Sequence, residues 1–417
     1  MASGLEGVGV EGRAGRLREL AWLFLRLGTT AFGGPAAHLA IMEDEVVRRR
    51  RWVTPQKFLD LIAAVNFIPG PNSTEVVIHI GYIRAGVPGL MVAGACFILP
   101  AALMVTGIAW AYVRFGALPA TQGILYGVQP VVIAVVLQAL GRLGKSCVKS
   151  RFLAVLGIVA VAANFAGASP LAVLAATGVV AGAGKYFSMR RRGAITSVVL
   201  FPLAQTSGPA TGAATAGAAA ASAAVGGAVL TGFWPLFLVF LKIGSVLFGS
   251  GYVLLAFLRA DLVDHYHWLD EKQLLDAVAI GQVTPGPVFT TATFIGYLVA
   301  QRWGGSGVCG AAVATAGIFV PAFVFVAISS PLLPYLRRSA IAGAALDGLN
   351  VASLALMAVV SVELGRAALL LHGTWIPDPV TLAIAGVALL LLVWKRVNSA
   401  WLIAGAAVVG GASLLWR

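Results

Sequence analysis

The chain has 417 residues; 59% are hydrophobic before its 50 glycines are counted, and only 11% are charged. A soluble protein carries about 25% charged residues, so this composition cannot clothe a fold of this size in water, and soluble enzymes, nucleic-acid-binding domains and disulfide-rich secreted scaffolds are excluded. The net charge of +13 is no nucleic-acid footprint: the basic residues form short clusters between apolar runs, at Arg48–Arg51, Arg142 to Arg151, Arg190–Arg192 and Lys395–Arg396, as cytoplasmic loops do.

In chain order, residues 1–16 form a tail with no apolar run, so no cleavable signal is expected. The first element, Glu19–Met42, is interrupted by Gly33-Gly34-Pro35. Arg13, Arg16 and Arg18 flank one end and Arg48–Arg51 the other. One span cannot bring both ends to the cytoplasm, which predicts a re-entrant pair of half-helices. Phe58–Arg84 is broken likewise at Pro69-Gly70-Pro71. Val87–Val113 and Leu118–Leu140 are long enough to span, at about 20 residues per crossing. Phe152–Ala166 and Pro170–Phe187 make a short pair. A connector over 188–233, mostly Ala and Gly from Ser207 to Gly232, reads as a linker or as one weakly apolar span. Beyond it come Gly307–Ser329, Ala340–Val362, Val380–Trp394 and Ser399–Trp416.

The second half repeats the first. An offset of 216 joins Gly28 to Gly244, Trp52 to Trp268, Asp60 to Asp276, and Pro69-Gly70-Pro71 to Pro285-Gly286-Pro287. Further on, Pro100 pairs with Pro321 and Gly127 with Gly348 at 221. The units are therefore 17–187 and 234–417. The loop between the broken elements is basic in the first unit (Arg48–Arg51, Lys57) and acidic in the second (Asp261, Asp264, Asp270, Glu271). Opposite charge at one register predicts opposite orientation. The expected fold is an all-α integral membrane protein, a polytopic helical bundle of two inverted repeats with broken or re-entrant helices, the architecture of secondary transporters.

Candidate site residues follow from the breaks. Proline removes a backbone donor, glycine between prolines permits a sharp reversal, and freed backbone at membrane depth survives only against protein or a water-filled cavity. Pro69, Gly70, Pro71 and Asn72, their mates Pro285, Gly286 and Pro287, and the upstream Gly33, Gly34, Pro35 and Gly249, Ser250, Gly251 are read as half-helix ends around a shared site. Interfacial turns are the plain alternative. Arg26 and Lys242 share one register inside apolar runs; they either flank a doubly charged anion or snorkel to an interface. Glu75 follows the first break, as a helix-start carboxylate favoured by the dipole or as a proton-carrying or gating carboxylate in the cavity. His38 lies in a broken element, where a hydrogen-bonded core histidine is the plain reading.

Catalytic and cofactor signatures are absent. Gly144-Lys145-Ser146 lacks the earlier glycine of a phosphate loop, no His-Glu-x-x-His occurs, and Cys96, Cys147 and Cys309 have no metal spacing. Neither enzyme activity, cofactor nor metal is expected.

Phe32-Gly33-Gly34-Pro35-Ala36-Ala37-His38, Trp52, Pro69-Gly70-Pro71 and Gly81-Tyr82, with Phe248-Gly249-Ser250-Gly251 and Pro285-Gly286-Pro287 in the second half, resemble the chromate ion transporter family in its two-domain form. The resemblance spans nearly the whole chain. It implies a multi-pass bacterial inner-membrane protein that exports chromate, with sulfate as a chemically similar anion and a lipid bilayer as its surroundings. A carrier of sulfate or another anion, or an anion channel of the same fold, are the alternatives, and pairing into a homodimer stays open. Export of a dianion from a negative interior gains about 4.6 kcal/mol per 100 mV, from ~2.3 per charge, so the membrane potential can drive it without nucleotide; a proton gradient is the other source.

Overall fold

The computed structural model describes residues 13–32, 34–116, 118–191, 232–248, 253–329, 339–369, 378–395 and 397–413. Every regular element among them is helical, as a backbone without water to bond requires. The first repeat runs α1 (Arg13–Thr30), α2 (Gly34–Met42), a π-helical turn (Glu43–Arg49), α3 (Pro55–Val65), α4 (Asn72–Phe115), α5 (Pro119–Cys147), α6 (Arg151–Phe165) and α7 (Pro170–Arg191). The second runs α8 (Phe233–Val246), α9 (Leu254–Leu258), a π-helical turn (Arg259–His265), α10 (Glu271–Val283), a 3-10 turn (Val288–Thr290), α11 (Thr291–Arg302), α12 (Gly307–Ser329), α13 (Ala340–Leu369), α14 (Pro379–Trp394) and α15 (Ser399–Ser413). Five helices among the described residues are long and apolar enough to cross a membrane. The chain is a polytopic helical membrane protein. Most of the connector, residues 192–231, lies outside the described residues, and α7 continues past Phe187 to Arg191.

The 216-residue register reappears as local geometry. The two π-helical turns begin at Glu43 and Arg259 and end alike. Arg50 N–H donates to the Glu45 carbonyl at 3.0 Å and Tyr266 N–H to Asp261 at 2.8 Å; Trp52 and Trp268 donate to Val46 and Leu262, both at 2.8 Å. Between them Arg51 and His267 are left-handed, at φ 54° and 53°, a conformation uncommon outside glycine. Two unrelated turns would not share so unfavourable a residue.

α4 is two limbs. Ala85 and Gly86 leave helical geometry, Gly86 at φ 65°, and the limbs 72–84 and 87–115 fold back on each other where Gly81 meets the Gly89 backbone. α11 and α12 close the same way through Gly296 and Gly310. The offset is 215 at Gly81/Gly296 and 221 at Gly89/Gly310, so the extra residues of the second repeat sit in its hairpin turn. α1 lays Leu20, Leu23, Phe24 and Leu27, one helical face, against α4, and α8 packs on α12 equivalently. Within lipid such faces gain from close packing rather than from escaping water.

The repeats interlock. α6 and α7 pack on α13 of the other repeat, while α14 and α15 pack on α5. α5 and α13 are equivalent helices and touch one another: Gly144 faces Leu354, and Gly365 faces Ile133. Both cross-pairs obey the 221 offset, since 365 − 144 and 354 − 133 are each 221. Equivalent helices thus run antiparallel about a local two-fold axis perpendicular to them.

Candidate functional site: a cavity between the two breaks

Pro71 and Pro287 stand immediately before the helical starts at Asn72 and Val288. The reversal at each break needs glycine: Gly70 has φ 139° and Gly286 φ 91°. Each break is fastened to the other repeat. Gly70 N–H donates to the Leu247 carbonyl at 2.8 Å, and Gly286 N–H to the Ala31 carbonyl at 3.0 Å. Donors and acceptors are both related by 216, so the two bonds are one contact made twice. A Cβ on Gly286 would lie 2.7 Å from Ala101 Cβ, and one on Gly70 would lie 3.6 Å from the equivalent Ala322 Cβ.

The breaks also share a cavity of about 590 Å³, lined by Pro71, Asn72 and Ser73 from the first repeat and Pro287, Val288 and Phe289 from the second. Asn66, Asn350 and Ser353 add polar groups, and Lys149 and Asp347 stand in its wall as an ion pair at 2.7 Å. The first amides of a helix have no intrahelical partner, so both break-proximal starts can present free N–H groups to an anion.

The other expected site residues are distributed as follows. His38 is buried; its Nε2 lies 3.1 Å from the Ala31 carbonyl, which also accepts from Gly286, and its Nδ1 lies 3.4 Å from Ser73 Oγ. It ties the cavity wall to the interlock, as a hydrogen-bonded histidine. Gly34 and Pro35 begin α2. Gly33, Gly249, Ser250 and Gly251 lie outside the described residues. Glu75 is fully buried, and neither of its carboxylate oxygens has a hydrogen-bond partner among the described residues.

Arg26 and Lys242 do not line the cavity. Each is paired with an acid: Arg26 with Glu45, and Lys242 with Asp261 at 2.6 Å. Glu45 and Asp261 are themselves 216 apart, so the charge pair is duplicated with the fold. Burial alone would push the Glu45 carboxyl up, but hydrogen bonds and charges from Arg26 and Arg50 outweigh it and hold it below the usual carboxylate range. The repeated acids could have been found from the sequence by extending the same register. Lys149 and Asp347 carried no such signal, because they are 198 residues apart and share no register. Asp276, which recurs with Asp60 at the 216 offset, is fully buried and accepts from Tyr112 Oη at 2.8 Å and Gln129 Nε2 at 2.9 Å, both in the other repeat.

The chain resembles known proteins along nearly all of its length. The family model described as "Chromate transporter" matches residues 18–183 and again 234–411. A chromate transport protein of Cupriavidus metallidurans is 33% identical over 404 residues, covering 94% of this chain and 92% of the relative. One from Pseudomonas aeruginosa is 30% identical, covering 82% and 80%, and a probable chromate transport protein of Synechococcus elongatus is 29% identical, covering 89% and 94%. No solved structure matches. Two matches to one family model, one on each half, place this chain in the chromate transporter family.

Proposed function

We propose that the protein is a secondary transporter that exports chromate across the bacterial inner membrane, with the cavity between the two Pro-Gly-Pro breaks as its anion site. The observation that carries this reading is that both breaks line one cavity, each contributing a helical start. An oxyanion needs several donors around a small volume, and helix N-termini supply them. Lys149 stands in the wall with its charge shared with Asp347, an ammonium that an anion can compete for. The antiparallel packing of α5 on α13 supports repeats inverted across the membrane, since equivalent spans then enter from opposite sides. The cavity wall includes the end of α5, at Ser146, Cys147 and Lys149, and Arg142, Lys145, Lys149 and Arg151 around it mark the cytoplasmic side by the positive-inside rule. A cavity facing the cytoplasm is where an exporter takes up its substrate. The outward gain of about 4.6 kcal/mol per 100 mV for a dianion, ~2.3 per charge, makes the membrane potential sufficient.

Purified protein in proteoliposomes with an imposed potential tests this. Chromate flux should follow the potential, and comparison with sulfate and molybdate defines the anion class. Cysteines at Asn72 and Val288 should be shielded from a small thiol reagent by chromate. Absence of flux for all three anions, with both cysteines unshielded, overturns the proposal.

A further inference from the structure

Glu75 has a setting that structural roles do not explain. It stands one turn into α4, just past the Pro71 break, with zero exposure. Its carboxylate rests against the break itself: a Cβ on Gly70 would lie 2.6 Å from Oε1. Neither oxygen meets a donor among the described residues. The repeat has nothing similar. At offsets of 216 and 215 the equivalent residues are Thr291 and Thr290, whose hydroxyls donate to the Val288 and Pro287 carbonyls at 2.8 Å each. The second repeat therefore shows that a neutral, internally bonded side chain suffices to build this turn. An ionised carboxylate with no exposure, and with no donor among the described residues, bears the full cost of its burial.

Most of the surrounding charges are paired with other groups. On α1, Arg26 is paired with Glu45 and Glu19 with Arg84 of α4. On α2, His38 is bonded to the Ala31 carbonyl. α3 carries Lys57 and Asp60, and His79 lies one turn beyond Glu75 on α4. α12 presents no charged side chain, Arg302 of α11 donates to the Trp268 carbonyl, and Asp276 of α10 is held by Tyr112 and Gln129.

We infer that Glu75 is a proton-binding site coupled to the anion site, its carboxyl holding a proton whenever a divalent oxyanion occupies the cavity at the Pro71 break. The inference rests on the cavity reading above. Asn72 and Ser73 line that cavity, and Glu75 belongs to the same first turn of α4. A carboxylate and a dianion separated by one helical turn in a low-dielectric interior repel strongly. Either the anion is excluded or the carboxyl takes up a proton. By linkage, anion binding raises proton occupancy and proton occupancy raises anion affinity by the same factor. The proton comes from the solvent when the anion binds and returns to it when the anion leaves.

Chromate binding to the purified protein, measured by calorimetry from pH 5.5 to 8.5 in buffers of differing ionisation enthalpy, tests this. Above the carboxyl's own titration point in the empty protein, wild type should take up as much as one more proton per chromate bound than Glu75→Gln does. Its affinity should also fall relative to the variant by about tenfold per pH unit above the carboxyl's own titration point, as one-proton linkage requires. Chromate's own protonation is common to both proteins and cancels in the comparison. Glu75→Thr installs the side chain of the other repeat and should give the same result if the Gln protein is poorly recovered. Equal proton uptake and parallel pH profiles in wild type and variant overturn the inference while leaving the anion site standing. Absence of chromate binding at every pH overturns both.

Discussion

Arg26 and Glu45 show what one charged pair does inside an apolar run. The Arg26 side chain is 43% exposed and Glu45 only 6%, so the acid is the partner that depends on the pair. Losing Arg26 leaves a buried carboxylate served by Arg50 and Arg49 alone. Arg26→Ala and Glu45→Ala should each destabilise the folded protein by roughly 1–3 kcal/mol, the range for a charged hydrogen bond left unmade. The double variant should lose less than the sum; thermal unfolding in detergent measures this, and strict additivity would mean that the pair is not coupled. The Glu45 carboxyl is held below its usual range, so the pair stabilises fully at neutral pH. Its contribution is lost only as the pH falls through that lowered value, because the unfolded state takes up the proton first. Lys242→Ala should likewise lower thermal stability by leaving Asp261 without its cation.

At the scale of elements, the breaks combine a backbone that only glycine adopts easily with a contact that leaves no room. Gly286 is at φ 91° with Ala101 2.7 Å from where its Cβ would be. A left-handed non-glycine residue costs roughly 1–2 kcal/mol before any clash. Gly286→Leu should therefore abolish transport, with activity falling further than the amount of inserted protein. Gly286→Ala should be milder, and Ala101→Gly should partly rescue it by vacating the contact. Transport assays normalised to membrane protein check both; normal flux through the Leu variant would remove the break from the site. The hairpins are a separate matter. Gly81 and Gly89 bring two backbones together away from the cavity lining, so a bulky residue there should reduce folded protein and flux in parallel.

For the whole molecule, reciprocal packing makes each half depend on the other. Since α6 and α7 lie on α13, and α14 and α15 on α5, neither repeat covers its own long helix. Halves expressed from separate genes, divided between residues 192 and 231, should co-purify, and either alone should be recovered poorly. Orientation in the membrane is a second global property. Cysteines at the equivalent exposed positions Arg48 and Asp264, with side chains 71% and 48% accessible, should label from opposite faces. Labelling from one face would end the inverted arrangement while leaving the two-fold packing intact.

Membrane class, helical content, the repeat and the sites of its breaks were all legible in the chain, because each depends on local chemistry. Few charges cannot cover a soluble surface, an isolated backbone in lipid must be helical, and Pro-Gly-Pro stops a helix wherever it falls. The span Gly307–Ser329 was read to the residue for that reason. The partners of Arg26 and Lys242 were partly legible, since Glu45 and Asp261 keep the same register. Which surfaces meet was not. That Gly70 bonds Leu247 and Gly286 bonds Ala31, that Lys149 faces Asp347, and that Glu75 is fully buried follow from how two helical sets cross. Crossing is decided by side-chain shape summed over whole interfaces, and hydrophobicity along a helix is nearly blind to it when every face is apolar. The sequence determined where the backbone had to break; the tertiary structure decided that the two breaks would face one cavity.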